Sequence, residues 1–125
     1  MKIINKTKNS ILAKDVVVAD TLLKRIKGLL GRKEFKQPEA LIIKPCNSIH
    51  TFFMRFPIDV LFVDKNHKVI AAISGLKPFR LSRVYFSSHY VVELPAGTLE
   101  SSATSKGDRL KIEGGRFSAL QLSEK

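Results

Sequence analysis

The chain's only cysteine, Cys46, stands four residues before His50 in the stretch PCNSIHTFFMRFPIDVLFVD, and a thiol activated by an imidazole is a familiar way to build a nucleophile. The spacing argues against a local dyad. If residues 47–54 are extended, a gap of four residues spans about 13 Å at ~3.3 Å per residue, too far for the hydrogen bond that turns a thiol into a thiolate. A helix would bring the two side chains together, but PCNSI is a poor helix former. Extended backbone instead places Ser48, His50, Phe52 and Met54 on one face and Ile49, Thr51, Phe53 and Arg55 on the other. Cys46 reads as a small, buried or half-buried packing residue.

Other chemistries find little support. His50, His67 and His89 show none of the HxH, HxxxH or HExxH spacings that ligate metal, so neither a metal nor a cofactor is expected. Gly28, Gly31 and Gly97 make no phosphate-binding loop, and no GxSxG elbow is present. The informative acids are Asp59, between Ile58 and Val60, and Glu93, between Val92 and Leu94. Their neighbours are apolar on both sides, so at least one of these carboxylates is expected to be partly buried and to need a partner. Arg55 between Asp59 and Glu93, beside the Phe52 to Phe56 aromatics, would neutralise both. His50, Met54, Arg55, Asp59 and Glu93 are therefore the candidate ligand-binding residues. A purely structural ion pair tying strands together is the competing account.

These residues need a framework, and the sequence reads as mostly β. Short strands are predicted at 2–5 and 13–19, the second from the run Val16, Val17, Val18. From Asp20, read as an N-cap, TLLKRIKGLLG spaces Leu22, Leu23, Ile26, Leu29 and Leu30 as one helix face, with Gly31 as its stop. That apolar stripe is expected to cover the core. LIIKP, SIHTFFM, IDVLFVD, KVIAAI, HYVVEL and RLKIE follow as strand-like pieces, with a hairpin turn at 64–67 and a bend at Pro57. The expected fold is mainly β: a single-domain β-sandwich or partly open barrel with jelly-roll character and one short helix near residues 20–30, the domain covering 1–113 and a C-terminal tail covering 114–125.

Composition bounds the rest. A chain of 125 residues, 44% hydrophobic and 26% charged, is the size and composition of one globular unit. It has no apolar run of the ~20 residues a spanning helix needs, and no signal-peptide core. With one cysteine, a cytoplasmic location and no membrane partner are expected. Twenty-two Lys and Arg against 11 Asp and Glu give a net charge of +11, concentrated locally at 24–36 and 77–83. Such charge attracts polyanions without defining a site, and it predicts weak, salt-sensitive nucleic-acid binding at most.

Four blocks in order, GLLGR (28–32), SIHTFFMRFPIDVLFVD (48–64), YVVELPAGT (90–98) and KGDRLKI (106–112), resemble the bacterial and archaeal family called domain of unknown function 192. The resemblance implies a mainly β, sandwich-like domain with jelly-roll character and one short helix; it supplies no reaction. With no motif in catalytic spacing, the expected function is a non-enzymatic binding module for a small polar ligand, a sugar or a protein partner. The alternative is a hydrolase or transferase using Asp59 and Glu93, or Cys46 with a distant histidine.

Overall fold

A computed structural model describes residues 1–114 and contains two sheets. From residue 115 on, the expected C-terminal tail lies outside the described residues. Strands β1 (Lys2–Asn5), β2 (Ser10–Ala13) and β8 (Leu110–Glu113) form an antiparallel sheet in the order β2-β1-β8. The larger sheet runs β3-β4-β7-β5-β6, built from β3 (Asp15–Ala19), β4 (Glu39–Ile43), β5 (Ile58–Val63), β6 (Val69–Leu76) and β7 (Tyr90–Pro95). Its pairs are antiparallel except β3 with β4, which are parallel. The arrangement is sandwich-like, with no closed barrel.

Strands β5 and β7 are buried along their whole length, which explains why IDVLFV and YVVELP do not alternate apolar with polar residues. On the inner face, Ile42, Leu61, Val63, Val92 and Leu94 pack with Ile3, Leu12, Leu110 and Ile112 of the small sheet. On the outer face, Leu41, Ile43, Val60, Phe62 and Val91 pack with Leu29, Ile49 and Met54, which come from the helix end and the loop between β4 and β5. A sheet covered by a second sheet on one side and by loops on the other has room for a cavity only where the loop layer is thin.

Several local expectations need correction. Residues 48–54 do not form a strand: His50 makes only an isolated bridge to Leu81, and Phe53 has φ +66° in a turn. The alternation of faces argued for that segment therefore fails. Helix α1 (Leu22–Lys27) is shorter than expected, its cap is Thr21, whose hydroxyl accepts from Lys24 N–H at 3.2 Å, and it ends at Gly28. None of its residues is buried, so the Leu22, Leu23 and Ile26 stripe is not core cover. A second helix, α2 (Thr98–Ser101), also appears, and 10–13 is a strand of its own. The 64–67 turn is as read: the Asp64 carboxylate accepts from Asn66 and Lys68 N–H at 2.9 Å each.

Candidate functional site

Asp59 and Glu93 lie on adjacent strands but on opposite faces. In the β5–β7 register Asp59 faces Leu94 and Val60 faces Glu93, and alternation along the strands does the rest. Asp59 belongs with Leu61 and Leu94 on the inner face; Glu93 belongs with Val60 and Val91 on the outer one. The shared space expected for these carboxylates and Arg55 does not exist. Arg55 is exposed, and among the described residues it makes no ion pair with either acid.

Asp59, 1% exposed, is fully engaged. Its Oδ1 accepts from Gly75 N–H at 2.8 Å, and its Oδ2 from Gly97 N–H at 3.1 Å and Leu99 N–H at 2.9 Å. One carboxylate thus ties the end of β6 to the start of α2, which is the signature of a structural acid.

Glu93 is the opposite case. It is 3% exposed, its cross-strand neighbours are Leu41 and Val60, and among the described residues no hydrogen bond or ion pair reaches its carboxyl. Burial alone pushes its pKa up to about 8, so at neutral pH the group is mostly protonated. Glu93 lines a cavity of about 340 Å³ under α1. Leu22, Ile26, Leu29, Leu30, Ile43 and Ile49 supply aliphatic wall, and Met54 a thioether. Arg25, Cys46, Asn47, Ser48 and His50 bring the polar atoms.

Backbone and side-chain ties hold this wall in place. Arg25 Nη1 donates to Pro45 O at 3.1 Å, pinning the helix to the loop. Ile49 and Ser82 exchange two hydrogen bonds, and Ser88 Oγ donates to Cys46 O at 2.9 Å. The Cys46 thiol donates to Ser48 O at 3.1 Å. Burial pushes that thiol's pKa up, a backbone hydrogen bond of Ser48 opposes the rise, the Glu93 charge adds to it, and the Arg25 charge opposes it. A thiol held protonated is a poor nucleophile at neutral pH. His50 is exposed and stacks on Phe52, with ring centroids 5.5 Å apart.

Of the five residues expected from sequence, the cavity brings together His50, Met54 and Glu93 and leaves out Arg55 and Asp59. Sequence reasoning missed the contribution of α1 through Leu22, Arg25 and Ile26, and that of Asn47 and Ser48. The available signal was an apolar stripe on a helix too short to bury it. A second feature also went uncounted. Within the basic cluster at 77–83, Phe79 is exposed and meets the 75% exposed Phe53 edge-on at 5.8 Å, and Phe86 is exposed nearby in sequence. Among the described residues there is no group of three or more His, Cys, Asp and Glu placed to hold a metal, and no helix long and apolar enough to cross a membrane.

The model of the domain of unknown function 192 (DUF192, Uncharacterized ACR) matches residues 3–112. The chain belongs to this family. A UPF0127 protein of Pyrococcus horikoshii is 38% identical over 116 residues, covering 87% of this chain and 96% of that one. A UPF0127 protein of Pyrococcus furiosus is 35% identical over 113 residues, covering 86% and 95%. A crystal structure of a protein of unknown function from Novosphingobium aromaticivorans superposes with a TM-score of 0.79 at 18% identity, covering 90% of this chain and 84% of that one. At that identity the likeness concerns the fold. DUF192 membership brings an uncharacterised family and no reaction, so the functional argument rests on the cavity.

Proposed function

We propose that this DUF192 chain is a non-enzymatic binding module whose ligand enters the cavity under α1, places a polar end on Glu93 and lays an apolar body against Leu22, Ile26 and Met54. The observation that carries this reading is a carboxyl group buried to 3% exposure, without a partner, lining a cavity of about 340 Å³. An unpaired buried acid lowers stability and is unsupported unless something else satisfies it. The volume falls at the small end of ligand pockets, ~300–1,000 Å³. Catalysis is the weaker account, because Asp59 is consumed by backbone N–H groups and the Cys46 thiol is held protonated.

The test is a crystallographic fragment soak with a parallel thermal-shift screen on the wild type and Glu93→Gln. Fragments seated beside Glu93, with thermal shifts lost in the variant, support the reading; a cavity that stays empty across the screen overturns it.

Exposed Phe53, Phe79 and Phe86 beside Arg55, Arg80 and Arg83 favour a second, weaker reading as a salt-sensitive surface for single-stranded nucleic acid. Titration with random and defined oligonucleotides should give weak, sequence-independent binding that fades by physiological salt. Tight, sequence-selective binding would make this the main function instead.

A further inference from the structure

We propose that the cavity ligand is a protonated primary amine, an ammonium head on a short aliphatic body, with the Glu93 carboxylate as its counter-charge. This rests on the pocket reading above and narrows it to one ligand class. When ionised, a carboxylate only accepts hydrogen bonds, at about four lone-pair sites, and none of these is used within the described protein. Among the described residues, the Cys46 thiol donates to Ser48 O and one Arg25 N–H to Pro45 O, and no donor lining the cavity bonds to Glu93. A ligand can bring the donors that the protein does not place on this carboxyl. An ammonium is the most compact head that supplies three N–H donors and the opposite charge together.

The walls fix the rest of the molecule. Leu22 and Ile26 line the cavity yet stay 64% and 59% exposed, apolar surface that an aliphatic body would cover. Among the described residues no Phe, Tyr or Trp lines the cavity, so they form no aromatic cage of the kind that holds quaternary ammonium. Recognition must therefore run through N–H donors, and full N-methylation should abolish it. A ligand anion would meet Glu93 as a like charge unless a proton stayed between them. The titratable and charged groups around Glu93 are Arg25 and Lys27 from α1 and Cys46 and His50 from the following loop; its strand neighbours Leu41 and Val60 carry none. The net charge of +11 repels a cation at long range, and added salt screens that repulsion more than it screens a buried ion pair. Affinity for the amine should hold or rise with salt, opposite to any polyanion.

Binding an ammonium requires the carboxylate form, so the acid gives up its proton as the ligand enters. The experiment is isothermal titration calorimetry with n-hexylammonium, hexanol, hexyltrimethylammonium and hexanoate, at pH 6 and pH 8. Two buffers of different ionisation enthalpy, neither a primary amine, count the protons exchanged. Expected are release of close to one proton per hexylammonium at pH 6 and affinity about 50-fold higher at pH 8, the ratio of ionised fractions for an acid titrating near 8. Hexanol and hexyltrimethylammonium should bind at least about tenfold more weakly. Glu93→Gln should remove the proton release and reduce hexylammonium to the level of hexanol. The wild-type proton count needs no variant, so a folding defect in Glu93→Gln leaves the test intact. Hexanol binding as tightly as hexylammonium, or hexanoate binding with proton uptake, overturns the amine and leaves the pocket reading standing. Failure of all four probes while soaked fragments still occupy the cavity does the same; an empty cavity in the soaks overturns both.

Discussion

The inner and outer faces of the five-stranded sheet each bury one acid, on neighbouring strands, and treat it in opposite ways. On the inner face three backbone N–H groups converge on Asp59 and make it part of the framework. On the outer face Glu93 sits between Leu41 and Val60, with no described residue bonded to its carboxyl and a cavity beside it. Burial is therefore a poor guide to the role of an acid, and the partners are the better one. The first acid ties β6 to α2 through its acceptors, whereas the second is tolerated best while it holds a proton.

The largest expected effect comes from the satisfied acid. Asp59→Asn keeps the size but puts an amide donor against backbone donors, so at least one of the N–H groups of Gly75, Gly97 and Leu99 is left buried without an acceptor. Chemical denaturation should show a loss of about 3–5 kcal/mol. A loss below about 1 kcal/mol would break the comparison, because Asp59 would then carry no more of the fold than a surface group does.

Glu93→Gln should act in the other direction and depend on pH. The unfolded chain releases this proton near the ordinary glutamate value of 4.5, whereas the folded chain holds it up to about 8. Between those limits the native state binds the extra proton, so the free energy of unfolding falls as pH rises. The contribution is fully present below the unfolded value and is lost as pH passes through the folded one. Denaturation from pH 4 to 9 should therefore show wild type and Glu93→Gln close together at the acid end. At pH 9 the variant should be more stable by about 2–4 kcal/mol. A difference independent of pH would mean that Glu93 is not the group being titrated.

Cys46 borders the same cavity and supplies a smaller effect. Cys46→Ser exchanges a thiol that packs against the wall for a hydroxyl that can keep the bond to Ser48 O, so stability should change by about 1 kcal/mol or less and ligand binding by no more than a few-fold. Loss of binding or activity by orders of magnitude in a folded variant would restore the thiol as a chemical group.

How far these contrasts were legible in the sequence depends on the range of the interaction. Strands β5 and β7 were readable because a sheet buried on both faces writes itself as continuous apolar sequence, and an acid inside such a run already signals burial. Which face each acid takes was not readable, since it depends on the β5–β7 register. Residues 48–54 looked extended because neither Gly nor Asn marks the left-handed Phe53. That turn is held by Thr51, whose hydroxyl donates to Lys77 O at 2.6 Å and accepts from Arg80 N–H at 2.9 Å, partners remote in sequence. The periodicity of α1 was read correctly as amphipathic and wrongly as core cover. Gly28 ends the helix at φ +47°, before Leu29 and Leu30 turn inward, so Leu22 and Ile26 face the cavity mouth.

The smallest effect sharpens the comparison most directly, because it reads the charge on Glu93 from a neighbour. Burial is the main cause of the raised Cys46 pKa, and the Glu93 carboxylate adds to it only when it is ionised. Below about pH 7 Glu93 is mostly protonated and exerts no charge on the thiol. Above about pH 8 its negative charge resists formation of a second one beside it. Alkylation by a small neutral reagent follows the thiolate fraction. Wild type and Glu93→Gln should therefore react alike at pH 7, and the variant should react a few-fold faster at pH 9. Glu100→Gln is the control, since Glu100 is exposed and is not among the groups that shift Cys46. Equal rates for wild type and Glu93→Gln at pH 9 would show that the thiol does not feel the acid, and the two groups would no longer belong to one site.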